Sequence, residues 1–312
     1  LITGLEYFTE QLEETILACS NNLVVHRLCF NQTFSPFRRL AVLIKSIAKT
    51  DLWYQIGGSV SRGRIYKLAH FLDKPVILHW VGTDVLHAKV YFKQHPEYLQ
   101  SQKGLVHWAG APWLVDELKE IGINAYFMPL PLKTIGIFLT KNPLPLLPKE
   151  FKILTYLSDQ RPEFYGWRYI LRLAQEFPDI EIIVIGATGS FAENKPQNIR
   201  FLGWVKDTLP VFTGCTVLVR MTEHDGYGGT VQEALSLGRY AIWSYPFPGA
   251  FEAKDYLSLR EHISYLYDQH KRGVLSINQA GRTYVFSNMN PTYLVSNIIQ
   301  GLHSIYREKR NE

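Results

Sequence analysis

Val217-Leu-Val-Arg-Met-Thr-Glu-His-Asp-Gly-Tyr-Gly-Gly-Thr-Val-Gln-Glu-Ala-Leu-Ser-Leu-Gly-Arg-Tyr-Ala-Ile-Trp243 reads as a buried strand, an acidic glycine-rich turn, a short helix, a glycine stop and a second buried strand. Asp225 and Glu233 stand eight positions apart. With a helix starting near Thr230, the turn lies at a helix N-terminus, where unpaired N–H groups and the positive end of the dipole favour an anion. Strand, turn, helix and strand in this order form one unit of a parallel sheet covered on both faces.

The same rhythm runs outward in both directions. Upstream, helices are expected over residues 7–19, 36–49, up to 71, after 84 and over 112–121. Strands are expected over 23–30, 52–56, 75–80, 104–108 and 125–128. Pro131, Pro143, Pro145 and Pro148 fall in a stretch with little periodicity, which reads as a connector. The pattern then restarts, with strands near 152–157, 181–185, 199–201, 216–219 and 240–243 and a last amphipathic helix after Pro291. This gives an α/β chain of two Rossmann-like, doubly wound domains, residues 1–135 and 136–290, with residues 291–312 crossing back to the first. Ligands in such sheets bind outside the carboxyl ends of the strands.

With 312 residues and 46% hydrophobic residues, the chain can build a core in each domain. A net charge of +5 is too mild for a dedicated nucleic-acid binder but compatible with anionic ligands or an anionic membrane surface. Cys19, Cys29 and Cys215 are widely spaced and odd in number, so neither a disulfide framework nor a CxxC metal pair is expected, and a cytoplasmic setting fits. No segment approaches the roughly 18 uninterrupted apolar residues of a membrane span.

The Asp225-x7-Glu233 segment resembles the acidic E-x7-E motif of retaining GT-B glycosyltransferases, especially glycosyltransferase family 4, with Asp in place of the first Glu. The resemblance implies that Glu233 holds the nucleotide ribose and that Asp225 lies by the donor sugar. Carboxylates accept paired hydrogen bonds from vicinal hydroxyls, while Gly226, Gly228, Gly229 and Thr230 can offer backbone N–H groups to a diphosphate. Arg220-Met-Thr-Glu-His-Asp-Gly226 looks like a run found in relatives acting on bacterial polysaccharides, in which the Arg neutralises the departing diphosphate. Arg161 stands where relatives carry a second cation, but Tyr165 takes the place expected for a Lys. Trp204, after the 199–201 strand, stands where relatives hold the base and offers a stacking face.

In the first half, Leu78-His-Trp-Val-Gly-Thr-Asp84 resembles the His-Gly-Ser/Thr-Asp run of the family, with Val81 at the histidine position. Asp84 is then a candidate to orient or deprotonate the acceptor hydroxyl, or to cap the following helix. Gly4, Gly58 and Ser59 are strand-end residues where substrate could approach the backbone. The helix over 36–49 carries Arg38, Arg39, Lys45 and Lys49 beside apolar residues, a pattern that can lie on anionic lipid.

The resemblance thus implies transfer of a sugar from a nucleotide-diphosphate-sugar donor to the hydroxyl of a saccharide or lipid-linked acceptor, in polysaccharide or glycolipid synthesis. Retention of configuration is expected, with no cofactor and no metal: the chain has no Asp-x-Asp pair, and His224 is a single ligand type without companions. A non-catalytic sugar- or nucleotide-binding protein of the same fold is the alternative. Gly186-Ala-Thr-Gly189 imitates a dinucleotide-binding turn of an NAD-dependent oxidoreductase, but Lys195-Pro196 leaves no room for the helix that would receive a pyrophosphate.

Overall fold

A computed structural model describes residues 1–20, 22–28, 35–58, 63–141 and 143–311. The chain divides into two compact units, one of Leu1–Lys133 with Pro291–Glu312 and the other of Thr134–Asn290.

The first unit opens with β1 (Ile2–Gly4), α1 (Glu6–Cys19), β2 (Arg27–Leu28), α2 (Pro36–Ala48), β3 (Trp53–Ile56) and α3 (Gly63–Phe71). It continues with β4 (Val76–Trp80), α4 (Thr83–Gln94), β5 (Val106–Ala109), α5 (Pro112–Glu120) and β6 (Tyr126–Phe127). Of the strand expected over 23–30, residues 23–26 are irregular and Arg27–Leu28 form the strand, while residues 29–30, with Cys29, lie outside the described residues. Ser35 caps α2 by accepting from the Arg38 N–H, with Pro36 in the first turn, where its missing N–H costs nothing.

The second unit begins within α6 (Lys133–Leu139), a helix inside the stretch read as a connector; Ile135, Phe138 and Leu139 are buried, so packing prevails over the surrounding prolines. Next come β7 (Lys152–Tyr156), α7 (Trp167–Glu176), β8 (Glu181–Ile185), β9 (Ile199–Phe201) and α8 (Leu209–Thr213). They are followed by β10 (Val217–Arg220), α9 (Gly229–Ser236), β11 (Tyr240–Trp243), β12 (Phe251–Glu252), α10 (Tyr256–Lys271) and α11 (Gln279–Asn288). The two-residue β12 carries no sequence signal of its own. The rest of the connector is pinned: the buried Arg239 guanidinium donates to the Pro145 and Leu146 carbonyls at 2.6 and 2.9 Å.

Both sheets are wholly parallel and six-stranded, in the orders β2-β1-β3-β4-β5-β6 and β12-β11-β10-β7-β8-β9. Strand order therefore reverses between β1 and β3 in the first unit and between β7 and β10 in the second. At such a reversal the flanking connections leave on opposite faces and open a crevice at the carboxyl ends. The last helix, α12 (Pro291–Asn311), belongs to the first unit, where Val295 and Ile298 share a core with Ile2, Leu12, Ile16, Tyr54, Ile56 and Ile77. The second unit has its own core around Ile153, Ile182, Val217, Val219 and Ile242 with α7 and α10.

Candidate functional site

In the second unit, Arg220, Asp225, Gly226, Gly228, Gly229, Thr230 and Glu233 gather at the carboxyl end of β10, beside the β7/β10 reversal, whereas Trp204 follows β9 at the far edge of the sheet. Arg220 ends β10, pairs in register with Trp243 of β11, and faces Asp225 across the turn. The contact is bidentate: Nε donates to Asp225 Oδ2 at 2.5 Å and Nη2 to Oδ1 at 2.8 Å. Asp225 also accepts from the Gly226 N–H at 2.9 Å, the Trp243 indole N–H at 3.2 Å and the Thr222 hydroxyl at 3.3 Å. Arg220 and Asp225 thus meet as one ion pair. Burial alone would lower the Arg220 pKa, but Asp225 outweighs it and raises the value. The remaining guanidinium nitrogen, Nη1, points to the Thr230 hydroxyl at 3.4 Å, at the start of α9.

Gly228 is the N-cap of α9 in the left-handed region, at φ 55°. The Val231 and Gln232 N–H groups return to its carbonyl, so the amides of Gly229 and Thr230 precede the first helical hydrogen bonds. One turn on, Glu233 is only 7% exposed, and burial pushes its carboxyl up to about 7, partly offset by the Thr134 hydroxyl and Arg220. A short strand, a glycine cap and a short helix thus place a cation, two carboxylates and the first amides of α9 between Arg220 and Glu233.

The other side of the crevice is aromatic. Tyr156 at the end of β7 and Tyr165 in the following 3-10 turn meet edge-to-face at 5.3 Å, and the Arg220 guanidinium lies 5.8 and 6.0 Å from their ring centres. Arg161 is exposed, stacked 4.7 Å from the Phe164 ring, and its charge reaches Tyr156 as that of Arg220 does. Trp204 stands 79% exposed after β9. Its neighbour Gly203 exchanges backbone hydrogen bonds with Gly186 and Ala187 after β8, which fixes the loop at the same sheet edge. Three strand spacings of about 4.8 Å separate β10, which Arg220 ends, from β9, which Trp204 follows.

The imitation dinucleotide turn is filled by the protein itself. Asp159 accepts from the Thr188 and Gly189 N–H groups at 2.9 and 3.0 Å and from the Thr188 hydroxyl at 3.0 Å, where a pyrophosphate would sit. No helix follows that turn.

In the first unit, Gly4 and Gly58 flank the β1/β3 reversal. Both glycines are demanded by packing: a Cβ on Gly4 would lie 1.8 Å from the Ile56 carbonyl oxygen, and one on Gly58 would lie 2.1 Å from the Trp80 ring. Ser59 lies outside the described residues. Asp84 sits in the first turn of α4 and accepts backbone N–H groups from Gly58 at 2.7 Å, Gly82 at 2.8 Å and Val81 and Val85 at 3.1 Å. Burial raises its pKa against the opposing effect of those donors. A carboxylate shared among four amides ties the loops after β3 and β4 together. Gly82 is the cap residue of α4.

Among the described residues, no cluster of three or more His, Cys, Asp or Glu could hold a metal ion. Sequence reading missed Trp243, Thr222 and Asp159: a buried strand-end tryptophan, a loop threonine and a loop aspartate carry no local signal of the group they will meet.

No family model matches the chain, and no curated protein matches it. Solved structures are similar in fold. The fold is GT-B. A glycosyltransferase from Rickettsia africae superposes with TM-score 0.69 at 12% identity, covering 99% of this chain and 97% of that one. The sucrose-phosphate synthase of Thermosynechococcus elongatus gives 0.69 at 13% identity over 98% and 99%. The Anabaena protein HepE, solved with UDP-glucose, gives 0.69 at 12% identity over 89% and 86%. GT-B proteins share the pair of parallel α/β sheets; at these identities the site chemistry must be argued from this chain's own residues.

Proposed function

We propose that the chain is a glycosyltransferase that moves a sugar from a nucleotide-diphosphate-sugar to an acceptor hydroxyl. The observation that carries this reading is the buried Glu233 one turn behind the free amides of α9, beside the Arg220–Asp225 pair at the β7/β10 reversal. In this reading Glu233 accepts from the ribose hydroxyls. Gly229, Thr230 and Arg220 Nη1 receive the diphosphate, aided by Arg161, and Trp204 stacks on the base. The two strands between β10 and β9 leave room for an extended nucleotide across the carboxyl ends of the sheet. Structures solved with UDP-glucose, UDP and GlcNAc among the similar folds support a donor of this class.

During transfer the anomeric carbon–phosphate oxygen bond breaks, a bond to the acceptor oxygen forms and the acceptor's proton passes to the departing phosphate oxygen; positive groups around the departing diphosphate stabilise the charge it gains. Retention of configuration is part of the proposal, as is independence from divalent metal, which agrees with the lack of an Asp-x-Asp pair. Asp84, saturated by backbone donors, acts in this reading as a positioning residue that holds the loops after β3 and β4 of the first unit. Acceptor attachment to a lipid is compatible with α2, which exposes Phe37 and Leu40 beside Arg38 and Lys45; binding to anionic over neutral vesicles, lost at high salt, tests it.

Thermal-shift titration with UDP, GDP, dTDP and ADP, with and without magnesium, is the decisive experiment. Stabilisation by one nucleotide without metal, abolished in Glu233→Ala and weakened in Trp204→Ala, is the expected result. Stabilisation by NAD alone overturns the reading. The neutralised Arg220 and the Tyr165 position favour one second reading, a nucleotide-binding protein without turnover; nucleotide binding with no sugar transfer to any acceptor would select it.

A further inference from the structure

The indole of Trp243 meets the site from beneath at two points, and neither is needed for the strand it ends. Trp243 is fully buried and lies in register with Arg220 on the parallel neighbour β10, so the two side chains leave the sheet on the same face. Its N–H donates to Asp225 Oδ2, the oxygen that also receives Arg220 Nε and the Thr222 hydroxyl. Its six-membered ring lies against Gly228, where a Cβ would come within 2.7 Å of the ring carbon Cη2. Thr222 also meets Ser244, the residue after Trp243: the Ser244 hydroxyl donates to the Thr222 carbonyl at 2.9 Å.

We propose that Trp243 is a positioning residue for the donor diphosphate: it sets the Arg220–Asp225 pair and the N-terminal turn of α9 at one fixed separation. This inference rests on the nucleotide-sugar reading of the site. Asp225 is held at both oxygens, and its orientation decides where the last guanidinium nitrogen of Arg220 points. A hydrogen bond from a neutral donor to a carboxylate in a water-poor site is of the stronger, charge-assisted kind, and it has a direction that a hydrophobic contact lacks. The ring supplies the second coordinate by acting as the floor on which Gly228 turns into α9. A phenylalanine would keep most of the floor and lose the donor.

The test compares Trp243→Phe with the wild type, using the nucleotide among UDP, GDP, dTDP and ADP that stabilises the wild type, together with its monophosphate. Calorimetric titration is expected to show the diphosphate's affinity advantage over the monophosphate shrinking about tenfold. Monophosphate affinity should change by less than about twofold, because the Glu233 contact is untouched. Thr222→Val, which removes another donor to the same carboxylate, should move the ratio in the same direction, and Trp243→His, which restores a ring N–H, should recover part of it. A loss of stability alone would weaken both ligands equally and leave the ratio unchanged. An unchanged ratio in Trp243→Phe and Thr222→Val overturns the inference, whereas no binding of any of the four nucleotides to the wild type overturns the reading beneath it.

Discussion

Glu233 concentrates the residue-scale consequences, because a carboxyl that ordinarily titrates near 4.5 is held at about 7 by burial. The folded state therefore keeps a proton that the unfolded state has released, and stability falls as pH rises between those two values. The thermal midpoint of the free protein should drop over this window, and Glu233→Gln, which cannot ionise, should flatten the drop and raise the midpoint at about pH 8. Accepting two ribose hydroxyls favours the ionised form, so nucleotide affinity should rise with pH through about 7 in the wild type and lose that dependence in the Gln variant, as calorimetry at several pH values would show. Asp84 differs in kind, since its oxygens are already committed to four amides. Asp84→Ala strips those N–H groups of their acceptor and should cost about 3 kcal/mol in denaturant unfolding. Its effect on turnover should exceed its effect on donor affinity; unchanged turnover would leave Asp84 a tie between two loops and nothing more.

Elements place these residues, and α9 shows how little chain that takes. Its start is defined by Gly228, whose positive φ and contact with Trp243 leave no room for a side chain. Gly228→Ala combines a left-handed penalty of about 1–2 kcal/mol with a steric clash, so the helix start must shift. Diphosphate binding should weaken in Gly228→Ala while α7 and β8, elsewhere in the unit, keep their amide protection in hydrogen exchange. The glycine punctuation of this segment was legible in the sequence because glycine has a local meaning. The partner that makes Gly228 necessary was not, since Trp243 lies on a neighbouring strand and reaches it only through sheet pairing. The helix at Lys133–Leu139 was hidden for the opposite reason: nearby prolines mark a connector, and only burial of Ile135, Phe138 and Leu139 reveals the helix.

At the scale of the molecule, each unit has its own core, and the chain crosses between them twice, so sequence neighbours and folding partners differ. The helix α12 closes the chain yet packs with Leu12 and Ile16 of α1 and with the first strands. Ile298→Ala removes buried methylenes from that core and should cost about 2–5 kcal/mol. Hydrogen exchange should then report lost protection in residues 1–133 and not in 134–290; loss spread over the second unit would contradict the division. Among the described residues no helix is long and apolar enough to cross a membrane.

The alternation of strands and helices, the proline and glycine punctuation and the acid spacing from Asp225 to Glu233 were determined by the sequence alone, because they are periodic or local properties of the chain. They carried the two-sheet architecture and pointed to the candidate site of the second unit at the end of β10. Tertiary structure decided what the side chains do to one another. It joined Arg220 to Asp225, raised the Glu233 pKa by burial, filled the Gly186–Gly189 turn with Asp159 and brought Trp243 beneath Gly228. Each of these depends on which strands are neighbours and on what is shielded from water, and both are settled only when the sheet order is formed.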